Sequence, residues 1–338
     1  MIPVGVVIIG RNEGERLGLA LRAVQANAPE GAEIVYVDSG SVDGSVALAR
    51  AHHAEVVQLD TTAPFTAARA RNAGFEWLLK RDPSIQFVQF IDGDCELQGG
   101  WLETALSFLA SHPDAAVACG RRRERHPQGS IYNRLCDMEW DTPIGGAVFC
   151  GGDFLIRAKA FTHVGGLNEA VPAGEEPELC VRLRRAGWGI FRIDAEMTVH
   201  DAAMSRFGQW SRRTMRGGYA YAMGAAMHGS PPERHWVRES RSILFWGLAL
   251  PMTSLALLWP TRGLSALFFL AYPLLAWRVF SRMRTRNLSV SDARTYALFC
   301  VLGKFPQALG VLRFWTGRSA AGPSPIIEYK SAAAAAQS

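Results

Sequence analysis

Val4 to Ile9 is a continuous apolar run that stops at Gly10, the pattern of a strand buried on both faces. Glu15 to Ala26 follows with Leu17, Leu21 and Val24 on one helical side. Short apolar runs recur at Ile34–Val37, Val56–Leu59 and Phe87–Ile91, and helical spacing at Val42–His52, Ala67–Leu79 and Trp101–Ala110. Strands alternating with helices predict an α/β fold with an open, mostly parallel sheet. Ligands of such sheets gather at the carboxyl ends of the strands. Three predicted strands end in polar groups: Arg11-Asn12-Glu13, Asp38-Ser39 and Asp92-Gly93-Asp94.

The pattern is less regular from about 115 to 200, where the basic run Arg121-Arg122-Arg123-Glu124-Arg125 reads as a solvated loop. Glu175 to Ala186 reads as a helix with acids at its start and Arg182, Arg184 and Arg185 near its end, a polarity that complements the helix dipole. The last third changes character. Ile243–Trp259 is 17 residues without a charge, and Gly263–Trp277 is 15 more. Arginines flank the pair (Arg234, Arg238 and Arg241 before it; Arg278, Arg282, Arg284 and Arg286 after it), and Trp236, Trp246, Trp259 and Trp277 lie at or near segment ends. This predicts a membrane hairpin at about 243–280 with both ends cytosolic. Thr295–Leu312 is apolar but interrupted by Lys304, Pro306 and Gln307, and is expected as an interfacial helix, with a third span (about 295–315) as the alternative. The expected organisation is a sheet domain over 1–230, membrane-associated helices over 231–330 and a disordered tail over 331–338.

Charge sharpens that division. Residues 1–200 hold 19 basic and 26 acidic side chains, and residues 201–338 hold 17 basic and 5 acidic ones. The overall +5 therefore averages a −7 half and a +12 half. The basic half is apolar and Trp-rich, without the stacking platforms of single-strand binders, so the anionic partner expected is a membrane leaflet and not nucleic acid. No two of the six cysteines are spaced C-x-x-C, which argues against a zinc or thioredoxin-type site. The opening residues lack a basic n-region and a cleavage site, so the N-terminal half is expected in the cytosol.

Asp92-Gly93-Asp94 places two hard oxygen donors on a tight turn after a buried strand. Such a pair suits Mg²⁺ or Mn²⁺ holding a diphosphate. No G-x-x-x-x-G-K-[ST] and no G-x-G-x-x-G follows the first strand, so a P-loop and a dinucleotide fold are disfavoured.

In order along the chain, Val4–Arg16 (VGVVIIGRNEGER), Val37–Ser45 (VDSGSVDGS), Ala70–Gly74 (ARNAG), Phe90–Leu97 (FIDGDCEL), Gly151–Arg157 (GGDFLIR) and Gly165–Arg185 (GGLNEAVPAGEEPELCVRLRR) resemble the family-2 glycosyltransferases of GT-A fold. The likeness covers about residues 3–216. It implies a nucleotide-sugar donor, most often a UDP- or GDP-sugar, with Asn12 and Glu13 beside the base and ribose and Asp38 on the base. Arg71 and Asn72 would contact the nucleotide too. Asp92 would meet the ribose or the metal, and Asp94 would ligate the metal. His200 falls where many relatives complete the metal shell.

Glu175-Glu176-Pro177-Glu178 occupies the place of the family's Glu-Asp motif, which assigns the general base to Glu176, with Glu175 and Glu178 supporting it. Glu replaces Asp at the base, so the two can exchange roles. One displacement without a covalent intermediate implies inversion. The Q-x-x-R-W motif of processive relatives is incomplete at Gln209-Trp210-Ser211-Arg212-Arg213, which argues against processive synthesis. Arg212, Arg213 and Arg216 are expected either to hold a donor or acceptor diphosphate or to face anionic lipid. The resemblance and the apolar helices together imply transfer to a lipid-linked glycan at the cytosolic face of the inner or plasma membrane, in polysaccharide biosynthesis. A polyprenyl-phosphate sugar synthase and a non-catalytic membrane scaffold are the rivals.

Overall fold

The computed structural model describes residues 2–319, so the expected tail over 331–338 lies outside the described residues. Its strands are β1 (Val4–Gly10), β2 (Glu33–Asp38), β3 (Glu55–Gln58), β4 (Phe87–Asp92), β5 (Cys95–Leu97), β6 (Ala115–Glu124), β7 (Gly145–Gly146), β8 (Phe154–Arg157) and β9 (Gly189–His200). The first seven helices are α1 (Glu15–Asn27), α2 (Ser45–Ala51), α3 (Ala67–Arg81), α4 (Trp101–Ser111), α5 (Ile131–Trp140), α6 (Ala158–His163) and α7 (Glu175–Arg185). β1 to β4, α1 to α4 and α7 agree closely with the expected elements, because each periodic run is short and bounded by polar or glycine residues, whereas β5 to β9, α5 and α6 were not expected.

All nine strands join one mixed sheet in the order β3-β2-β1-β4-β8-β6-β9-β5, with β7 also on β9. β1 runs parallel to β2 and β4, and β2 to β3. β8 reverses between β4 and β6. This aligns the carboxyl ends of β1, β2 and β4, where the polar groups stand. Leu17, Leu21 and Val24 of α1 and Leu78 and Phe75 of α3 are buried in the sheet's core cluster.

The stretch from 115 to 200 corrects the sequence reading. The basic run is not a solvated loop but the second half of β6, with Arg121 and Glu124 buried. Its apolar first half enters the core, and the charges of its second half meet partners from β9 and the site described below. An unpaired charge has to stay wet, but a paired one can be buried, and pairing is invisible in a linear pattern.

The described residues form two compact units, with 2–127 and 139–203 in one, and 128–138 together with 204–319 in the other. Of the second unit's helices, α8 (Phe207–His228) packs on α13 (Lys304–Ser319), and between them lie α9 (Val237–Leu244), α10 (Leu250–Ala256), α11 (Ala271–Thr285) and α12 (Val290–Leu302). The boundary was expected near 230, yet α8 belongs with the C-terminal helices. The seam explains this. A Cβ on Gly218 would come within 2.1 Å of the Gln307 carbonyl oxygen, and one on Gly310 within 2.0 Å of that of Met215. Only glycine permits the two backbones to approach so closely.

The first expected span, 243–259, is a broken path: α9, a π-helical turn over Phe245–Ala249, then α10 ending at Ala256. Among the described residues, the helical stretches long and apolar enough to cross a membrane are instead Leu264–Thr285 and Val290–Gly317, and the most apolar part of the first is almost wholly exposed. The apolar stretch read as interfacial therefore spans α12 and α13, which follow one another across Gly303 within a helical stretch of 28 residues.

Candidate active site

β4 ends at Asp92, and a tight turn leads into β5. β5 pairs antiparallel with β9, which sets Cys95 opposite His200. That pairing brings the turn residue Asp94 to the imidazole, with Oδ2 3.2 Å from Nε2 of His200. Both side chains are buried. The Cys95 thiol completes three donor groups within 4.8 Å of one another. Burial pushes that thiol well above its usual pKa, so it stays protonated and suits a hard ion poorly.

Asp94 and His200 remain, an oxygen and a nitrogen donor that fit Mg²⁺ or Mn²⁺. Their 3.2 Å separation is close to the roughly 3.0 Å between adjacent ligands of an octahedral ion with bonds of about 2.1 Å. Burial acts to lower the His200 pKa, but the Asp94 and Glu124 carboxylates together outweigh it and the net direction is upward.

Asp92 has other company. Its Oδ1 accepts from Nη2 of Arg71 at 2.8 Å, and its Oδ2 from Nη2 of Arg122 at 3.0 Å. Burial alone would raise its pKa; the two guanidiniums reverse that and hold it below the usual carboxylate range. Arg122 is fixed in turn by Asp153, whose Oδ2 accepts from Nε at 2.9 Å and from Thr198 Oγ1 at 2.7 Å. The other oxygen of Asp153 accepts the Asp92 backbone N–H at 3.0 Å. Gly152 is required beside them, because a Cβ there would lie 2.7 Å from Asp92 Oδ2 and 2.8 Å from Arg71 Nη2.

Arg71 is 1% exposed. Its Nη1 lies 3.0 Å from Glu175 Oε1 and 3.3 Å from Glu176 Oε1, and its Nη2 also donates to the Gly152 carbonyl at 3.1 Å. The residue expected to contact a nucleotide is thus a buried tie between Asp92 and the acids that begin α7. Gly174, in the left-handed region at φ 83°, turns the chain into that helix and sets both glutamates in its first turn. Of the pair, Glu176 is the more accessible, 14% exposed at the side chain against 6% for Glu175. Burial first, then the charge of Glu175, pushes Glu176 up to about 7, while Arg71 opposes the rise. Glu178 binds Arg182, with the closest contact 2.6 Å, and Arg182 holds the carbonyls of Val164 and Gly166.

The other predicted residues shape loops. Asn72 spends both ends of its amide on the segment after α6, bonding the backbone N–H and C=O of Leu167 at 2.9 and 2.8 Å. Asn12 Oδ1 accepts from the Val42 N–H at 2.8 Å, and the Glu13 N–H donates to Ser45 Oγ at 3.2 Å. Asp38 is buried and accepts from Tyr36 Oη and from the N–H groups of Gly40 and Ser41. These four side chains or their backbones hold the strand-end loops together. Arg212, Arg213 and Arg216 lie on α8, in the second unit. Gln209, of the incomplete processive motif, caps that helix, its Oε1 accepting from the N–H groups of Ser205 and Arg206 at 2.9 and 3.0 Å.

Sequence reasoning gave no role to Arg122, Glu124, Trp140, Asp153 or Thr198. Asp153 stood in the recognised GGDFLIR segment and was a legible signal. Trp140 packs edge-on against His200 with ring centroids 4.7 Å apart, and Arg122 lies 5.5 Å from the Trp140 ring centroid. Nothing in the linear sequence links positions 122, 140 and 200.

The glycosyl transferase family 2 profile matches residues 5–162. The pre-mycofactocin glycosyltransferase of Mycobacterium tuberculosis is 24% identical over 234 residues, 64% of this chain but only 46% of its own length. This chain thus spans less than half of that relative. Glycosyltransferase AglE of Haloferax volcanii is 25% identical over 225 residues, 64% of this chain and 71% of that protein. Among solved structures, the mannosyltransferase PcManGT of Pyrobaculum calidifontis, in complex with GDP-Man and Mn²⁺, superimposes with a TM-score of 0.61 at 19% identity. The match covers 90% of this chain and 86% of that one.

Proposed function

This chain carries a family 2 glycosyltransferase domain with the GT-A fold, and from that premise we propose that it is an inverting, metal-dependent enzyme. It moves a sugar from a UDP- or GDP-sugar to a lipid-linked glycan at the cytosolic face of a membrane. The observation that carries the reading is the juxtaposition, in one unit, of the Asp94–His200 pair with Glu176, bridged through Asp92 and Arg71. Asp94 and His200 would hold Mg²⁺ or Mn²⁺, which supplies neutralisation of the charge on the departing nucleoside diphosphate. Glu176 takes the proton from the acceptor hydroxyl as that oxygen attacks the anomeric carbon. The C1–O bond to the diphosphate breaks as the new glycosidic bond forms, which inverts the anomeric centre. Arg71 keeps Glu176 and Asp92 in fixed relation and prevents the acids from repelling one another apart.

The membrane part of the reading rests on the apolar helices over 264–285 and 290–317 and on their arginine flanks. Leu264, Leu274, Trp277, Leu298 and Trp315 expose half or more of their surface there, as lipid-facing side chains would. The test is nucleotide release and glycan transfer by the full chain in vesicles, across UDP- and GDP-sugars, with Mn²⁺ or EDTA. Transfer to a lipid-linked acceptor that EDTA abolishes supports the proposal. Turnover indifferent to chelation would overturn the metal, and extraction of the chain by alkaline carbonate would overturn the spans.

A further inference from the structure

We propose that Glu124 is a positioning residue for the metal: its carboxylate receives the Nδ1–H of His200 and so leaves Nε2 of that ring as the ligand atom. The inference rests on the assignment of Asp94 and His200 as the metal-binding pair. It starts from strand register. β6 and β9 run parallel with Glu124 opposite His200, so the carboxylate and the ring are brought side by side by the sheet itself.

Glu124 is held firmly. Its Oε1 accepts from the His126 N–H at 3.1 Å, and its Oε2 from the Ala202 N–H at 3.0 Å. Its side chain is 0% exposed, so it reaches neither substrate nor solvent, and whatever it does passes through a neighbour. That neighbour is His200. Nδ1 of His200 is buried and has no hydrogen-bond partner. It lies 3.7 Å from Oε2 of Glu124, less than an ångström beyond hydrogen-bond distance.

A neutral imidazole carries one N–H. If the hydrogen sits on Nε2, it points at Asp94 and blocks ligation. If it sits on Nδ1, the Nε2 lone pair faces the Asp94 carboxylate, where an ion would be shared. Both Glu124 oxygens already act as acceptors for backbone N–H groups, so the carboxylate presents an acceptor to the ring and favours the second tautomer. Metal-bound histidines use a carboxylate behind the ring in this way. Trp140, edge-on at 4.7 Å, limits the ring's freedom to turn away.

The test is Mn²⁺ affinity of the full chain without donor, read by calorimetry or by electron paramagnetic resonance of the free ion. Asp94→Ala and His200→Ala should remove most of the binding. Glu124→Gln keeps the size of the side chain but sets one oxygen against three donors, and should weaken Mn²⁺ about ten- to a hundredfold. The melting temperature in EDTA is measured alongside, and Glu124→Ala serves as a second variant. The decisive comparison is the double variant: on a His200→Ala background, the Glu124 change should cost no further affinity, because its effect runs through the ring. Undiminished binding in the Glu124 variants, or a loss that persists without His200, would overturn this inference alone. Undiminished binding in Asp94→Ala and His200→Ala would instead overturn the metal assignment beneath it.

Discussion

Asp92 and Asp94 share one turn, yet they stand in two differently balanced clusters. Around Asp92, the carboxylates of Asp92, Asp153, Glu175 and Glu176 are tied by the guanidiniums of Arg71 and Arg122. Around Asp94, the imidazole of His200 stands between Asp94 and Glu124. A guanidinium is always charged and offers donors in a fixed fork, so in the first cluster each oxygen of Asp92 already meets a fixed cation. An imidazole can give up a proton and become a ligand, so the second can exchange that proton for a metal. Identical letters in a D-x-D motif thus acquire different duties from what the sheet packs against them.

The comparison breaks most visibly in the rate of transfer. Glu176→Gln removes the proposed base and should lower kcat by about 10²–10⁴-fold, with the melting temperature little changed. Asp94→Ala should cost about a thousandfold, the worth of several kcal/mol of charge stabilisation, and should abolish the response to Mn²⁺. Asp92→Asn should leave Mn²⁺ affinity within about threefold, since its oxygens already serve Arg71 and Arg122. Equal loss of Mn²⁺ in the two aspartate variants would erase the distinction between the clusters.

Stability should report the same contrast from the other side. Arg71→Met would leave Asp92, Glu175 and Glu176 buried without their shared cation. Breaking a buried ion pair from one side costs about 3–5 kcal/mol, so the midpoint of urea unfolding should fall accordingly. A change under about 1 kcal/mol would mean that the acids find other compensation.

The alternation of apolar strands and amphipathic helices was legible through residue 111 except for the three-residue β5, because every other element there has its own period and its own stop signal. Asp94, His200 and Glu176 were legible by resemblance, and the structure brings Asp94 to His200 through β5 and β9. The arginines were misread. Arg122 looked like a surface charge in a basic run, and Arg71 like a nucleotide contact, because a sequence displays a charge but not the carboxylate 21 to 104 positions away that pairs with it. The helices of the second unit were misplaced for a related reason. Hydropathy found the apolar residues, but the close approach at Gly218 and Gly310 that groups α8 with α13 depends on glycines with no apolar signal of their own.

The smallest expected effect is on the pH profile, and it separates the two glutamates. A general base works only when deprotonated, and Glu176 is pushed up to about 7. The logarithm of kcat/KM should therefore rise with unit slope below pH 7 and level off above it, because the proton that blocks the base is lost through that range. Burial is the first cause of the raised value and the charge of Glu175 the second. Glu175→Gln removes that second cause. It also frees Nη1 of Arg71, now shared at 3.0 and 3.3 Å between the two acids, to turn fully toward Glu176. Both changes favour the ionised base, so the acidic limb should move to lower pH by about half a unit to one unit, with the plateau rate largely kept. A limb that stays in place would mean that Glu176 does not set it. Loss of the plateau itself would identify Glu175 as the base, and the exchange of roles left open by the Glu-for-Asp replacement would then have occurred.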